Sequence, residues 1–342
     1  MRRCLELAAN GIGTTKPNPS VGAVIVLNDS IIGEGYTSPY GGNHAEVNAI
    51  HSVKDLSSLR KATLYVTLEP CVHFGKTPPC TDLIIRHQIP NIVIGCLDTN
   101  ELVAGKGIEK LKQAGCNVLA GVLENECKAH HSRFFTFHTK KHPYIILKWA
   151  ETKNGFIAPL HKDIQKPVWI TNTYSRQLVH KLRAKEHAIL VGTNTVLADN
   201  PKLNVRDWEG INPIRIVLDK QLKLPGALQV FDQSVRTIVI TDMVNETNSS
   251  KSTFLEYSYI NFSGDVPRQI CEALYGKDIQ SVLIEGGAKT LRSFIEADFW
   301  NTVYVFVGDI TFKEGIKAPV FSGNLVSEEH IGNDVLRIYK ND

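Results

Sequence analysis

Thr67-Leu68-Glu69-Pro70-Cys71-Val72-His73-Phe74-Gly75-Lys76-Thr77-Pro78-Pro79-Cys80, taken with His44-Ala45-Glu46, decides the reading of the first half of this chain. An apolar, β-rich run from Ala62 to Leu68 leads into Glu69-Pro70-Cys71, and a short helical stretch from Thr81 to His87 follows Cys80. His44 opens a second helical stretch, to Val53, with Val47 and Ile50 on one side. His44, Cys71 and Cys80 offer one imidazole and two thiolates. Three such ligands leave the fourth tetrahedral position to water, as in catalytic rather than closed zinc sites. Thiolate and imidazole together favour zinc among the common metals. Glu46, two residues beyond His44, can face the same cavity without ligating, which suits a proton shuttle. A closed structural site would need a fourth protein ligand, for which His73 is the nearby candidate. Cys4, Cys96, Cys116, Cys127 and Cys271 read as structural.

Working outward, Val21 to Val26 and Ile31 to Tyr36 are β-rich runs joined by Leu27-Asn28-Asp29-Ser30, a hairpin signal. Asn91 to Cys96 is a further strand, and Lys106 to Ala114 a helix closed by Gly115. The aromatic and basic stretch Phe134 to Pro143 reads as a junction, which puts the domain boundary near 142 and gives domains 1–142 and 143–342. The second part is again α/β. Ala188 to Gly192, Ile214 to Leu218, Thr237 to Ile240, Ser281 to Ile284 and Thr302 to Val307 are buried strands separated by helical stretches, which predicts a largely parallel sheet covered on both faces. Residues 242 to 265 are polar and turn-rich and read as a surface excursion. No strand is followed by Gly-x-Gly-x-x-Gly, so a Rossmann domain is not indicated.

Composition narrows the partners. At 342 residues the chain is long enough for two domains, and 43% hydrophobic against 21% charged residues is a globular balance. The formal net charge of +3, with no long basic run, gives no reason to expect nucleic acid. No apolar run has the length of a membrane span, and Met1 to Leu7 reads as an amphipathic helix rather than a secretory signal. Seven scattered cysteines do not form a disulfide framework and point to a reducing cytoplasm.

A histidine-x-glutamate followed by a proline-cysteine pair is a signature of zinc-dependent nucleobase deaminases, though there two residues separate the cysteines and here eight do. With its long inter-cysteine loop, the segment resembles the deaminase half of the bifunctional riboflavin-biosynthesis deaminase/reductases. Lys16-Pro17-Asn18-Pro19-Ser20-Val21-Gly22 and Val103-Ala104-Gly105-Lys106-Gly107 carry the same likeness. The resemblance implies a cytidine-deaminase-like three-layer domain with zinc on His44, Cys71 and Cys80, and Glu46 as the proton shuttle. It also implies substrate contacts from Asn18, His73, Lys76 and Thr77. Many members carry a histidine where Thr37 stands, which removes one substrate contact. The family's first helix begins several residues before the position of Met1, so its first turn is expected to be short.

Lys148-Trp149-Ala150, Trp169-Ile170-Thr171, Leu182-Arg183-Ala184, Gly192 to Pro201 and Leu283-Ile284-Glu285-Gly286-Gly287 resemble the reductase half of the same family, whose fold is like dihydrofolate reductase. A strand, two glycines and a helix from Ala288 to Ile295 make a corner that suits a phosphate. The resemblance assigns NADPH to Gly287, Ala288, Lys289, Thr290, Leu291, Arg292 and Ser293, with Trp169, Thr195 and Asp199. It assigns substrate to Arg183, Leu203, Arg206 and Glu285, the arginines gripping a ribose phosphate. Thr152-Lys153-Asn154-Gly155 stands where members often have an acid. The implied reaction is deamination of a phosphoribosylamino pyrimidine followed by NADPH reduction of its ribosyl chain. The implied partners are a phosphorylated small molecule and a second copy in a homodimer, with no nucleic acid and no membrane. The competing reading is a zinc deaminase of another nucleobase or nucleoside whose second domain is not catalytic.

Overall fold

Asn28 and Asp29 both take positive φ, 48° and 58°. This pair of left-handed residues makes a type I′ turn, whose twist matches that of the strands it joins. In a computed structural model that describes residues 1–74, 78–99, 104–162, 164–243 and 254–341, it connects β1 (Gly22–Leu27) to β2 (Ser30–Tyr36). The described chain divides into two compact units, Met1–Lys141 and His142–Asp342.

In the first unit, β3 (Thr63–Leu68), β4 (Asn91–Cys96) and β5 (Asn117–Ala120) extend the hairpin to five strands in the order β2-β1-β3-β4-β5. The β1–β2 and β1–β3 pairs are antiparallel and the rest parallel. Alternation along β1 sends Ala23 and Ile25 to one face and Val24 to the other. Cys4 and Leu7 of α1 (Arg2–Ala9) cover Val24. Ala49 and Ile50 of α2 (Ala45–His51), with Ile84 of α3 (Cys80–Arg86), join Ala23 and Ile25 in the main core. The result is helix, sheet, helix. α4 (Lys106–Gln113) ends before Gly115, whose φ of 86° makes it the left-handed stop that the sequence suggests. α5 (Glu124–His130) and α6 (Ser132–Lys140) complete the unit. The stretch read as a junction from Phe134 onward is therefore mostly helix: Phe134 and Phe137, three apart, are buried on one side of α6.

The main sheet of the second unit is built, among the described residues, on β6 (Tyr144–Thr152), β8 (Ala188–Gly192), β9 (Ile214–Leu218), β10 (Thr237–Thr241), β11 (Leu255–Tyr259), β12 (Ser281–Gly286), β13 (Thr302–Gly308), β15 (Asn324–Ile331) and β16 (Asp334–Lys340). These nine strands lie in the order β11-β10-β9-β8-β12-β6-β13-β16-β15. The seven from β11 to β13 run parallel, while β16 and β15 are antiparallel additions. Ala188 and Leu190 of β8 enter one apolar cluster, and Ile189 and Val191 the other, as expected of a parallel sheet covered on both sides. The helices are α7 (Thr173–Lys185), α8 (Thr193–Asp199), α9 (Val266–Tyr275) and α10 (Ala288–Glu296). β7 (Phe156–Pro159) and β14 (Gly315–Lys317) pair separately. The stretch from 242 to 265 is not wholly an excursion, since β11 lies within it and pairs with β10; residues 244–253 lie outside the described part.

Gly22 sets the closeness of α1 to the sheet. A Cβ there would overlap the Cys4 carbonyl oxygen and come within 2.8 Å of the Ala8 backbone nitrogen. Backbone atoms cannot swing aside. Gly22→Ala is expected to destabilise the first unit by about 1–3 kcal/mol or more, read as a lower urea midpoint for that unit.

Candidate metal centre and reductase site

The first site forms where β3 ends. His44 is the N-cap of α2, Cys80 is the first residue of α3, and Cys71 lies in the turn after β3. His44 Nδ1 is 3.2 Å from Cys80 Sγ and 3.6 Å from Cys71 Sγ, and all three ligand atoms lie within 4.8 Å of one another. Tetrahedral zinc with bond lengths of about 2.1 Å to nitrogen and about 2.3 Å to sulfur separates such atoms by roughly 3.6–3.8 Å. The donor set and its spacing therefore fit zinc with one position left for water. His73 is exposed and is not part of the cluster, and among the described residues no fourth protein ligand closes it.

Electrostatics favour thiolate at Cys71. Cys71 is pushed down to about 4, first by the hydrogen bond with the Cys80 thiol and then by His44, while burial opposes the shift. Cys80 is pushed up by the same hydrogen bond and by burial. Its backbone N–H donates to Cys71 Sγ at 3.4 Å. Glu46, only 4% exposed, is raised by burial, with His44 pulling in the other direction.

Glu69 is a residue whose part the motif alone did not reveal. Its buried carboxylate accepts from four backbone N–H groups: Asp98 at 3.3 Å, Gly105 at 2.9 Å, Gly107 at 2.8 Å and Ile108 at 3.2 Å. It ties the ligand-bearing turn to the start of α4. Thr81 adds a hydroxyl donated to the Cys71 carbonyl at 3.2 Å. Asn18 is half-buried, its N–H donated to Thr15 O at 2.9 Å. Thr37 spends its hydroxyl on the backbone of Val21, accepting from the N–H at 2.9 Å, and offers no second imidazole to a ligand. Lys76 and Thr77 lie outside the described residues.

In the second unit the C-terminal ends of β8 and β12 meet, the edge of an α/β sheet at which ligands bind. β12 ends at Gly286, with φ of 142°, and α10 starts after Gly287. A Cβ on Gly287 would lie 3.0 Å from Thr195 Oγ1, and one on Gly192 would lie 2.7 Å from Thr290 Oγ1. No side chain caps α10, and its first turn holds no acid. This glycine cradle under a free helix N-terminus fits a dinucleotide phosphate. Leu291 is fully buried in the core, so only its backbone can reach a ligand; Lys289 and Arg292 are exposed, and Ser293 Oγ donates to Thr290 O at 2.8 Å. Trp169 is exposed under the Arg176 guanidinium, 4.5 Å from its centroid, and Asp199 is ion-paired with Lys162.

Beside the cradle sits a buried charge cluster. Arg183 donates from Nε and Nη2 to the two oxygens of Glu285 at 2.7 and 2.8 Å, and from Nη1 to Asn204 O at 3.1 Å. Lys148 Nζ lies 3.7 Å from Glu285. Burial opposes ionisation of Glu285, but Arg183 and Lys148 outweigh it and hold the carboxyl at about 2. Leu203 is buried with positive φ, its side chain in the apolar cluster of Val191 and Val196, so only its backbone is left to meet a ligand. Arg206 is exposed and lies 3.7 Å from Asp207. Asn154 accepts from Thr152 Oγ1 at 2.7 Å and donates to Phe312 O at 2.7 Å, a structural use.

The comparisons bear on both units. Residues 143–331 match the RibD C-terminal domain, and residues 1–96 match the cytidine and deoxycytidylate deaminase zinc-binding region. The riboflavin biosynthesis protein RibD of Aquifex aeolicus is 39% identical over 99% of this chain and 97% of its own length. That of Escherichia coli strain K12 is 34% identical over 90% of this chain and 86% of its own. The crystal structure of a diaminohydroxyphosphoribosylaminopyrimidine deaminase/5-amino-6-(5-phosphoribosylamino)uracil reductase from Thermotoga maritima superposes with a TM-score of 0.90 at 39% identity, covering 100% of this chain and 97% of that one. Acinetobacter baumannii RibD gives 0.89 at 30% identity, covering 99% and 97%.

Two outcomes are expected. Cys80→Ala is expected to abolish stoichiometric zinc retention on gel filtration, measured by atomic absorption, because two ligands cannot hold the ion as three do. Glu285 has its folded-state pKa depressed from 4.5 to about 2. Its contribution to stability is therefore complete above 4.5 and is lost as pH falls toward 2. Urea titrations across that window should show the second unit weakening with acid, and Glu285→Gln should flatten the dependence.

Proposed function

The chain belongs to the RibD family of riboflavin-biosynthesis proteins, and we propose from that premise how its own residues divide the family's two reactions. It is a bifunctional deaminase and reductase that uses zinc and NADPH. The substrate is 2,5-diamino-6-(5-phosphoribosylamino)pyrimidin-4(3H)-one and the final product 5-amino-6-(5-phosphoribitylamino)uracil. The domain assignment is deaminase over 1–142 and reductase over 143–342. The match of the second unit to the RibD C-terminal domain disfavours a deaminase of another nucleobase with a non-catalytic second domain.

In the first unit His44, Cys71 and Cys80 hold zinc, which when bound supplies a water acidic enough to be deprotonated near neutral pH. Glu46 takes the proton from the attacking water, passes it to the ring nitrogen and assists departure of ammonia from C2. Burial raises its proton affinity, the direction that taking up a proton needs. Asn18, His73, Lys76 and Thr77 hold the pyrimidine and its ribose phosphate. The observation that carries the reading is the convergence of three ligand atoms within 4.8 Å beside one buried carboxyl, in a chain akin to RibD across both units.

In the second unit Gly287 to Ser293 cradle the NADPH phosphates, and Trp169, Thr195 and Asp199 complete the cofactor site. Arg206 and the remaining N–H groups of Arg183 take the ribose phosphate, while Glu285, fixed by Arg183, and Leu203 position the ribosyl chain for hydride. The same reading carries a homodimer and a cytoplasmic location, where the seven free cysteines stay reduced.

Glu46→Gln tests the shuttle. It preserves shape and leaves the three ligands intact, so zinc content should hold while deamination falls by about 100-fold or more. Full deamination by Glu46→Gln would remove the residue from the mechanism.

A further inference from the structure

We propose that Asn204 binds substrate in the reductase unit, its side-chain oxygen accepting a hydrogen bond from a pentose hydroxyl. This rests on the reading of Arg183, Leu203, Arg206 and Glu285 as the substrate site, and it adds a residue that no motif marks.

Asn204 Oδ1 is a buried acceptor with no hydrogen-bond partner among the described residues. Buried polar atoms are almost always paired, and an unpaired one carries the full cost of leaving water. The backbone around it cannot relieve the cost by shifting. On one side Leu203 is locked in the left-handed region with its side chain in the apolar cluster. The Asn204 carbonyl receives Arg183 Nη1 at 3.1 Å. On the other side the Val205 N–H is held by Asn212 Oδ1 at 2.7 Å and the Arg206 N–H by His180 Nδ1 at 3.4 Å. The backbone is pinned before, at and after Asn204, and the open lone pairs sit on a side chain carried by that held segment.

The chemistry of the partner follows. An amide oxygen needs a donor, so the phosphate, which only accepts, is ruled out. Arg206, exposed and two residues further on, is the cation for the phosphate. The pentose is bonded to that phosphate, and its hydroxyls are the donors that reach Asn204 when the phosphate sits on Arg206. A site built to pair a substrate hydroxyl loses affinity when its own partner atom is removed.

The test compares Asn204→Leu and Asn204→Ala, which delete the acceptor, with Asn204→Asp, which keeps one. In full-length, zinc-loaded protein, the KM for the phosphoribosylamino uracil should rise roughly tenfold in the Leu and Ala variants. The Asp variant should stay nearer the parent. The KM for NADPH and the rate of deamination should not change, and the unfolding midpoint of Asn204→Leu should not fall, since a purely structural defect would move it. An unchanged KM in both deletion variants, or an Asp variant as impaired as Leu, overturns the proposal and leaves the oxygen to an ordered water. A parent protein that fails to reduce the uracil at all overturns instead the functional reading on which the proposal rests.

Discussion

An imidazole and two thiolates can share a metal only if their carriers are held from separate directions onto one point. Here the carriers are the N-termini of two helices and the turn after a central strand. The approach of α2 to the sheet depends on Gly33 and Gly35, where a Cβ would meet the backbone of Ala49 and its neighbours. Glu69 restrains the turn with four backbone hydrogen bonds. The thiolate character falls on Cys71 in that turn, through its hydrogen bond with Cys80 and through His44. The core of the first unit, its hairpin and its crossovers can all be understood as what keeps these three atoms within reach of one another and of Glu46.

The second unit solves a different problem, that of keeping charge buried without leaving it unpaired. Glu285 is tolerated at the end of β12 because Arg183 meets both its oxygens and Lys148 stands near. Removing Arg183 would leave the Glu285 carboxylate without the partner that meets both its oxygens, which costs far more than the intact pair contributes. The adjacent Gly286 and Gly287 then turn the chain into α10. A buried charge cluster and a glycine cradle are thus neighbours along one strand, brought together by the covalent chain itself.

Much of this was legible in local pattern. The ligands, Glu46, the glycine corner and the parallel strands all announce themselves through residue type and spacing, and the hairpin at Asn28-Asp29 through turn chemistry. β15 did not, because most of its side chains are exposed and no alternation marks it. β7 and β14 are too short to show a period. α6 was legible in the spacing of Phe134 and Phe137 but was masked by its basic, proline-ended neighbourhood. Asn204 and the clamp of Glu69 depend on pairings far apart in sequence, such as Glu69 with Gly105 and Arg183 with Asn204. No local period encodes these. Arg183 and Glu285 were legible as charged residues, but their engagement with each other was not.

Turnover of the diaminopyrimidine ribose phosphate by zinc-loaded protein, followed by mass spectrometry with and without NADPH, tests the paired reactions most directly. The first requires a gain of about one mass unit without the nucleotide, an amino group exchanged for oxygen. The second requires a further gain of about two with it, hydride and proton added. A first step without the second would contradict the reductase assignment, and an unchanged substrate would contradict both.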